Sequence, residues 1–148
     1  MIEIRQATRA DLDRLIARSP ADAGLERDRF AAQERGESLL LIAWEDGEIR
    51  GRLGRLYLAS KYPEVRAALG DFPEINALDA WPQGRGVGTL LIHAAEDIAR
   101  ARGFDKVGIA VLVDNVAARR LYERLGYAYW GDVIDDGDPA VYLLKHIT

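Results

Sequence analysis

The chain has 148 residues, of which 49% are hydrophobic and 30% charged, with a formal net charge of −4. That profile suits a single globular domain over residues 1–148, with no membrane helix of roughly 20 apolar residues and no basic surface for nucleic acid. With no cysteine and only His93 and His146, the chain offers no disulfide, no cysteine nucleophile and no histidine-rich metal site, so no metal is expected.

Met1 to Arg5 lacks the basic region and apolar stretch of a signal peptide, and a cytoplasmic location is expected. Ile2-Glu3-Ile4-Arg5-Gln6-Ala7 alternates as a strand. Thr8 reads as an N-cap, with Asp11 in the first turn and Leu12, Leu15 and Ile16 on one helical face. A second helix is expected from about Gly24 to Arg35, stopping at Gly36. Leu39 to Trp44 and Ile49 to Leu58, joined by Glu45-Asp46-Gly47-Glu48, read as a hairpin. A short helix over Pro63 to Gly70 precedes a strand from Glu74 to Trp81. Gly86 to Arg102 follows as a long helix whose apolar face is Leu90, Leu91, Ala94, Ala95 and Ile98, capped by Gly103. Lys106 to Val113 is apolar enough for a central strand covered on both faces. Ala117 to Arg124 is a short helix ended by Gly126. Tyr127 to Val133 and Ala140 to His146 form a last hairpin around Asp135-Asp136-Gly137-Asp138. The main elements run β-α-α-β-β-β-α-β-α-β-β, an α+β class with a mixed sheet around one parallel βαβ unit.

Two motifs carry chemistry. The first is Gln83-Gly84-Arg85-Gly86-Val87-Gly88-Thr89, a turn from a strand through glycines into a helix. Such a helix start presents backbone N–H groups at a positive dipole end, and glycines leave no Cβ to hold a phosphate or pyrophosphate away. A tight turn of no further meaning is the alternative. A dinucleotide-binding reading fails, because Gly84-x-Gly86-x-Gly88 is not Gly-x-Gly-x-x-Gly and no acid ends the next strand. The second motif runs from Asp114 to Tyr127, with Asn115, Ala117, Leu121-Tyr122-Glu123 and Leu125-Gly126-Tyr127 as its marks.

With both motifs in this order and spacing, the chain resembles the GNAT family of N-acetyltransferases over essentially its whole length. Gln83, Gly86 and Gly88 match the family's pyrophosphate signature, and the Asn115-to-Tyr127 run matches its second signature. The resemblance implies acetyl-CoA as cosubstrate, lying where the fourth and fifth strands splay apart. It implies cofactor contacts from Leu78, Asp79 and Ala80, from Gln83, Gly84, Arg85, Gly86, Val87, Gly88 and Thr89, and from Asn115, Ala118 and Tyr122. Pantetheine would pair with the strand backbone at Leu78 to Ala80 like an added strand.

The resemblance also makes the Tyr122 hydroxyl a candidate general acid for the leaving thiolate, since a phenol is protonated at neutral pH. Packing beside Ala118, Leu121 and Leu125 as a core aromatic is its alternative. Glu74 is the candidate base, with an exposed strand-end carboxylate as its alternative and Asp79 as the second choice. Some family members carry an acid on the fifth strand, where this chain has Ile109-Ala110-Val111-Leu112-Val113. Without cysteine, an acetyl-cysteine route is closed and direct attack in a ternary complex remains. Glu26, Phe30, Trp130 and the turn aspartates are the residues offered to the acceptor side, the aspartates reading more simply as solvated turn residues. The expected activity is acetyl transfer to a primary amine of a small molecule or peptide, by a monomer or homodimer. A non-catalytic acyl-CoA-binding module of the same fold is the alternative.

Overall fold

The computed structural model describes residues 1–148. Packing divides them into two compact units, Met1–Tyr57 with Asn76–Ala94, and Leu58–Ile75 with Ala95–Thr148. The first holds β1 (Glu3–Gln6), α1 (Arg9–Arg18), a 3-10 turn (Pro20–Asp22), α2 (Ala23–Glu34), β2 (Ser38–Glu45) and β3 (Glu48–Tyr57). The second holds α3 (Pro63–Leu69), β5 (Lys106–Leu112), α5 (Val116–Arg124), β6 (Ala128–Asp135) and β7 (Asp138–His146). β4 (Glu74–Ala80) and α4 (Val87–Ala101) each contribute residues to both. The mixed sheet has seven strands in the order β1-β2-β3-β4-β5-β7-β6. β4 and β5 run parallel, paired at Glu74↔Gly108 and Ile75↔Ile109, whereas β1/β2, β2/β3, β5/β7 and β6/β7 pair antiparallel.

Local chemistry explains the boundaries. Thr8 caps α1 in a reciprocal box, its hydroxyl accepting from the Asp11 N–H at 3.2 Å while the Asp11 carboxylate accepts from the Thr8 N–H at 3.0 Å. Asp46 and Gly47 both have positive φ (52° and 76°), as do Asp136 and Gly137 (48° and 88°), the backbone that a two-residue hairpin turn demands. β2 is buried along Ser38 to Trp44, which accounts for its unbroken apolar run.

Each unit has its own apolar core. In the first, Leu12, Leu15, Phe30, Leu40, Ile42, Trp44 and Ile49 pack together. In the second, Tyr62, Val65, Phe72, Val133, Tyr142 and Leu144 do so.

One expected face is corrected. Leu90 is 42% exposed, and the buried stripe of α4 is Val87, Leu91, Ile92, Ala95 and Ala99. The stripe also includes Glu96, because its carboxylate accepts from the Tyr127 hydroxyl and the Lys145 ammonium. No helix is long and apolar enough to cross a membrane.

Candidate functional site

In the first unit, β4 leads through Trp81 and Pro82 into the glycine turn. Gln83 to Gly86 are exposed, while Val87 turns its side chain inward at 4% exposure and so offers a ligand only its backbone. Gly84 and Gly86 take φ of 81° and 80°, and a Cβ built on either meets no atom within 4 Å. A Cβ on Gly88 meets only Leu78 Cδ2, at 3.6 Å. The open space lies beside the first-turn N–H groups of α4, which have no acceptor within the helix. A pyrophosphate fits such a cradle, and the chain's own side chains do not fill it.

Beside the turn lies a charged cluster that pattern reading did not anticipate. Glu26, named above as an acceptor-side candidate, is 2% exposed. It accepts from Arg29 Nη1 at 2.6 Å and from Arg52 Nε at 2.8 Å. Arg52 Nη1 continues to the Ala77 carbonyl at 3.1 Å and to Asp79 Oδ2 at 2.7 Å. Asp79 is 45% exposed at its side chain, whereas Phe30 is core. The available signal was Gly51 and Gly54 flanking Arg52 in a strand, since strand glycines mark close approach. A Cβ on Gly54 would stand 2.7 Å from Arg29 Nε.

In the second unit, Asn115 caps α5 by accepting from the Ala118 N–H at 3.2 Å. One helical repeat on, Tyr122 is 8% exposed and meets the Tyr127 ring edge-on at 6.4 Å. Tyr127 is itself locked, donating to Glu96 Oε2 at 2.8 Å. Burial, and then the adjacent Glu96 charge, push the Tyr127 phenol far above its ordinary range, so it stays a donor. Tyr122 therefore sits against a fixed neighbour, as its packing reading requires.

Glu74 is not the exposed strand-end carboxylate that was its alternative. At 2% exposure it accepts from the Ser60 hydroxyl, from the Lys61 N–H at 3.1 Å and from the Tyr142 hydroxyl at 2.7 Å. Three of the roughly four acceptor sites of the carboxylate are thereby taken. The turn aspartates need a correction too. Asp135 is a partner rather than a solvated residue, bridged to Lys61 Nζ at 2.7 Å and accepting from Tyr62 Oη at 2.8 Å. Asp136 and Asp138 are not buried, and Trp130 packs edge-on against Tyr142 at 6.1 Å.

Fold and motif together define an acyl-CoA transferase architecture, and comparison with known proteins supplies the family. The model of the acetyltransferase (GNAT) family matches residues 4–127, and the chain belongs to that family. A mycothiol acetyltransferase of Beutenbergia cavernae is 39% identical over 90 residues, which is 61% of this chain. The match covers only 28% of that relative's length. A streptothricin acetyltransferase of Streptomyces lavendulae is 27% identical over 139 residues, covering 87% of this chain and 69% of that protein. The fold is shared with a Salmonella typhimurium protein solved with its cofactor acetyl-CoA, with a TM-score of 0.74 at 16% identity over 100% of this chain and 95% of that one.

Proposed function

We propose that this protein is an N-acetyltransferase that moves the acetyl group of acetyl-CoA to a primary amine of a small molecule or peptide. The observation that carries this reading is the glycine cradle at the start of α4, open on the side where a Cβ would stand, in a chain of the acetyltransferase (GNAT) family. The relatives' names favour small amines, since streptothricin acetyltransferase is matched over most of its length.

In this reading residues 1–148 act as one catalytic domain and the acceptor amine attacks the thioester directly. The new C–N bond forms as the C–S bond breaks, so one proton must leave nitrogen and one must reach sulfur. The Tyr122 hydroxyl supplies the second. Asp79 takes the first, because its Oδ2 is held by Arg52 and its Oδ1 is left for the substrate, whereas the carboxylate of Glu74 is committed to three donors. The backbone of Leu78 to Ala80 and the cradle from Gln83 to Thr89, with Asn115 and Ala118, align the cofactor, and positioning supplies much of the rate.

The test is release of CoA thiol from acetyl-CoA across aminoglycosides, polyamines, amino acids and peptide N-termini. Turnover with at least one amine, and a rise in melting temperature with CoA but not NAD, is expected. CoA binding without turnover on any amine would make the protein a non-catalytic acyl-CoA module. Indifference to CoA would remove both readings.

A further inference from the structure

We infer that Arg52 is a positioning residue for acyl transfer: braced by Glu26, it grips the backbone of β4 at Ala77 and the carboxylate of Asp79 with one nitrogen. This rests on the proposed function, and it assigns work to residues that neither motif contains.

The geometry has four steps. Ala77 is a non-glycine residue at φ 64°, a left-handed conformation that persists only where surrounding contacts impose it. It directly precedes the Leu78–Ala80 backbone proposed to align pantetheine. Arg52 Nη1 donates both to the carbonyl of this residue at 3.1 Å and to Asp79 Oδ2 at 2.7 Å, so one atom ties the bend to the carboxylate two residues on. Arg52 is only 7% exposed at its side chain, and a buried guanidinium needs a counter-charge that does not itself move. Glu26 provides it from α2, at 2.8 Å from Nε and 3% exposed at its side chain. Arg29 in turn holds the other Glu26 oxygen at 2.6 Å, lying over Gly54, whose missing Cβ leaves it room. Two guanidinium and two carboxylate groups therefore close a chain that is formally neutral, runs from α2 to β4, and ends on the one half-exposed member, Asp79.

The planar fork of arginine matters here. Nε faces Glu26 while Nη1 faces β4, a division of labour that a single ammonium cannot reproduce. Trp81 flanks the group, its ring centre 5.5 Å from Arg52 Cζ and 4.2 Å from that of Arg18, which restricts the guanidinium further. A purely structural ion chain would have no reason to end on an exposed carboxylate oxygen beside a bent strand.

The experiment is a double-mutant cycle on turnover with Arg52→Lys, Asp79→Asn and the pair, alongside CoA-induced thermal shifts. Arg52→Lys should lower kcat by roughly 30- to 100-fold with the CoA shift retained, since the cradle is untouched. The pair should be slower than Asp79→Asn alone by well under the factor that Arg52→Lys costs by itself, because that carboxylate is one of the two holds of Arg52 on β4. Multiplicative losses, or a kcat for Arg52→Lys within threefold of wild type, would overturn the inference. A separate reading comes from hydrogen exchange at the Leu78, Asp79 and Ala80 amides, which should speed up in Arg52→Lys. If wild type acetylates no amine, the proposed function fails by itself. The grip on β4 is then judged by exchange alone, and unchanged exchange overturns it.

Discussion

Replacing Gly108 by alanine tests how firmly Glu74 is held. Tyr142 pairs with Ala110 across β5 and β7, so its ring crosses β5 on the face that Gly108 leaves bare. A Cβ on Gly108 would land on the Tyr142 hydroxyl and stand 2.6 Å from its Cζ. The ring must therefore shift, and the 2.7 Å hydrogen bond from Oη to Glu74 is lost. Losing a hydrogen bond to a buried carboxylate costs about 1.5–3 kcal/mol. Overpacking a filled core adds about 1–3 kcal/mol. The substitution should thus destabilise by about 2.5–6 kcal/mol, a large share of the ~5–15 kcal/mol that holds a typical domain together. Denaturant unfolding of wild type, Gly108→Ala, Tyr142→Phe and the double variant measures it. Tyr142→Phe removes only the hydroxyl and should cost about 1.5–3 kcal/mol. Since the bond cannot be lost twice, the double variant should fall short of additivity by about 1 kcal/mol or more. Additive costs, or a Gly108→Ala cost under about 1 kcal/mol, would refute the view that this glycine exists to seat Tyr142 on Glu74.

Tyr122→Phe keeps the edge contact with Tyr127 but deletes the hydroxyl, so turnover should fall by roughly 10²-fold while CoA still raises the melting temperature. Turnover within a few-fold of wild type would make Tyr122 core filler, and lost CoA binding would make it structural. Gly88→Val adds a Cβ that meets only Leu78 Cδ2, at 3.6 Å, so folding should survive and the CoA thermal shift should vanish; a preserved shift would move the pyrophosphate elsewhere. Asp135 is raised by partial burial but lowered further by Lys61 and Tyr62, with a net fall below the ordinary carboxylate value. Its contribution to stability should be complete above the unfolded value of about 3.9 and lost as pH falls through the lower folded value. Asp135→Asn should flatten the stability profile in that acid window, and an unchanged profile there would dismiss the bridge.

The parts of this protein that were legible in the sequence are those whose physics is local. Thr8 and Asp11 are three residues apart and complete their cap within one turn, as Asn115 and Ala118 do. The glycine turn into α4 was legible for the same reason: its shape belongs to the backbone, and glycines announce what they omit. The buried acids were illegible because their partners are remote. Glu74 meets Tyr142 across 68 positions, Glu96 meets Lys145 across 49, and Glu26 meets Arg52 across 26. Pattern reading made Glu74 a candidate base or an exposed acid, offered Glu26 to the acceptor side and did not single out Glu96, since an acid is placed in a core only when its partner is known. On α4 that assumption moved the inferred apolar face onto Leu90 and passed over Glu96. For Glu74 it offered a choice between a reactive carboxylate and an exposed one, and the fold buries it against three donors. The same blindness hid Arg52, a charged residue in a largely buried strand whose meaning depends on a helix and a strand that each lie more than 20 residues away. Turns and caps carried by backbone and by short motifs can be read from a single chain, whereas the pairings of its buried charges are made only by the folded molecule.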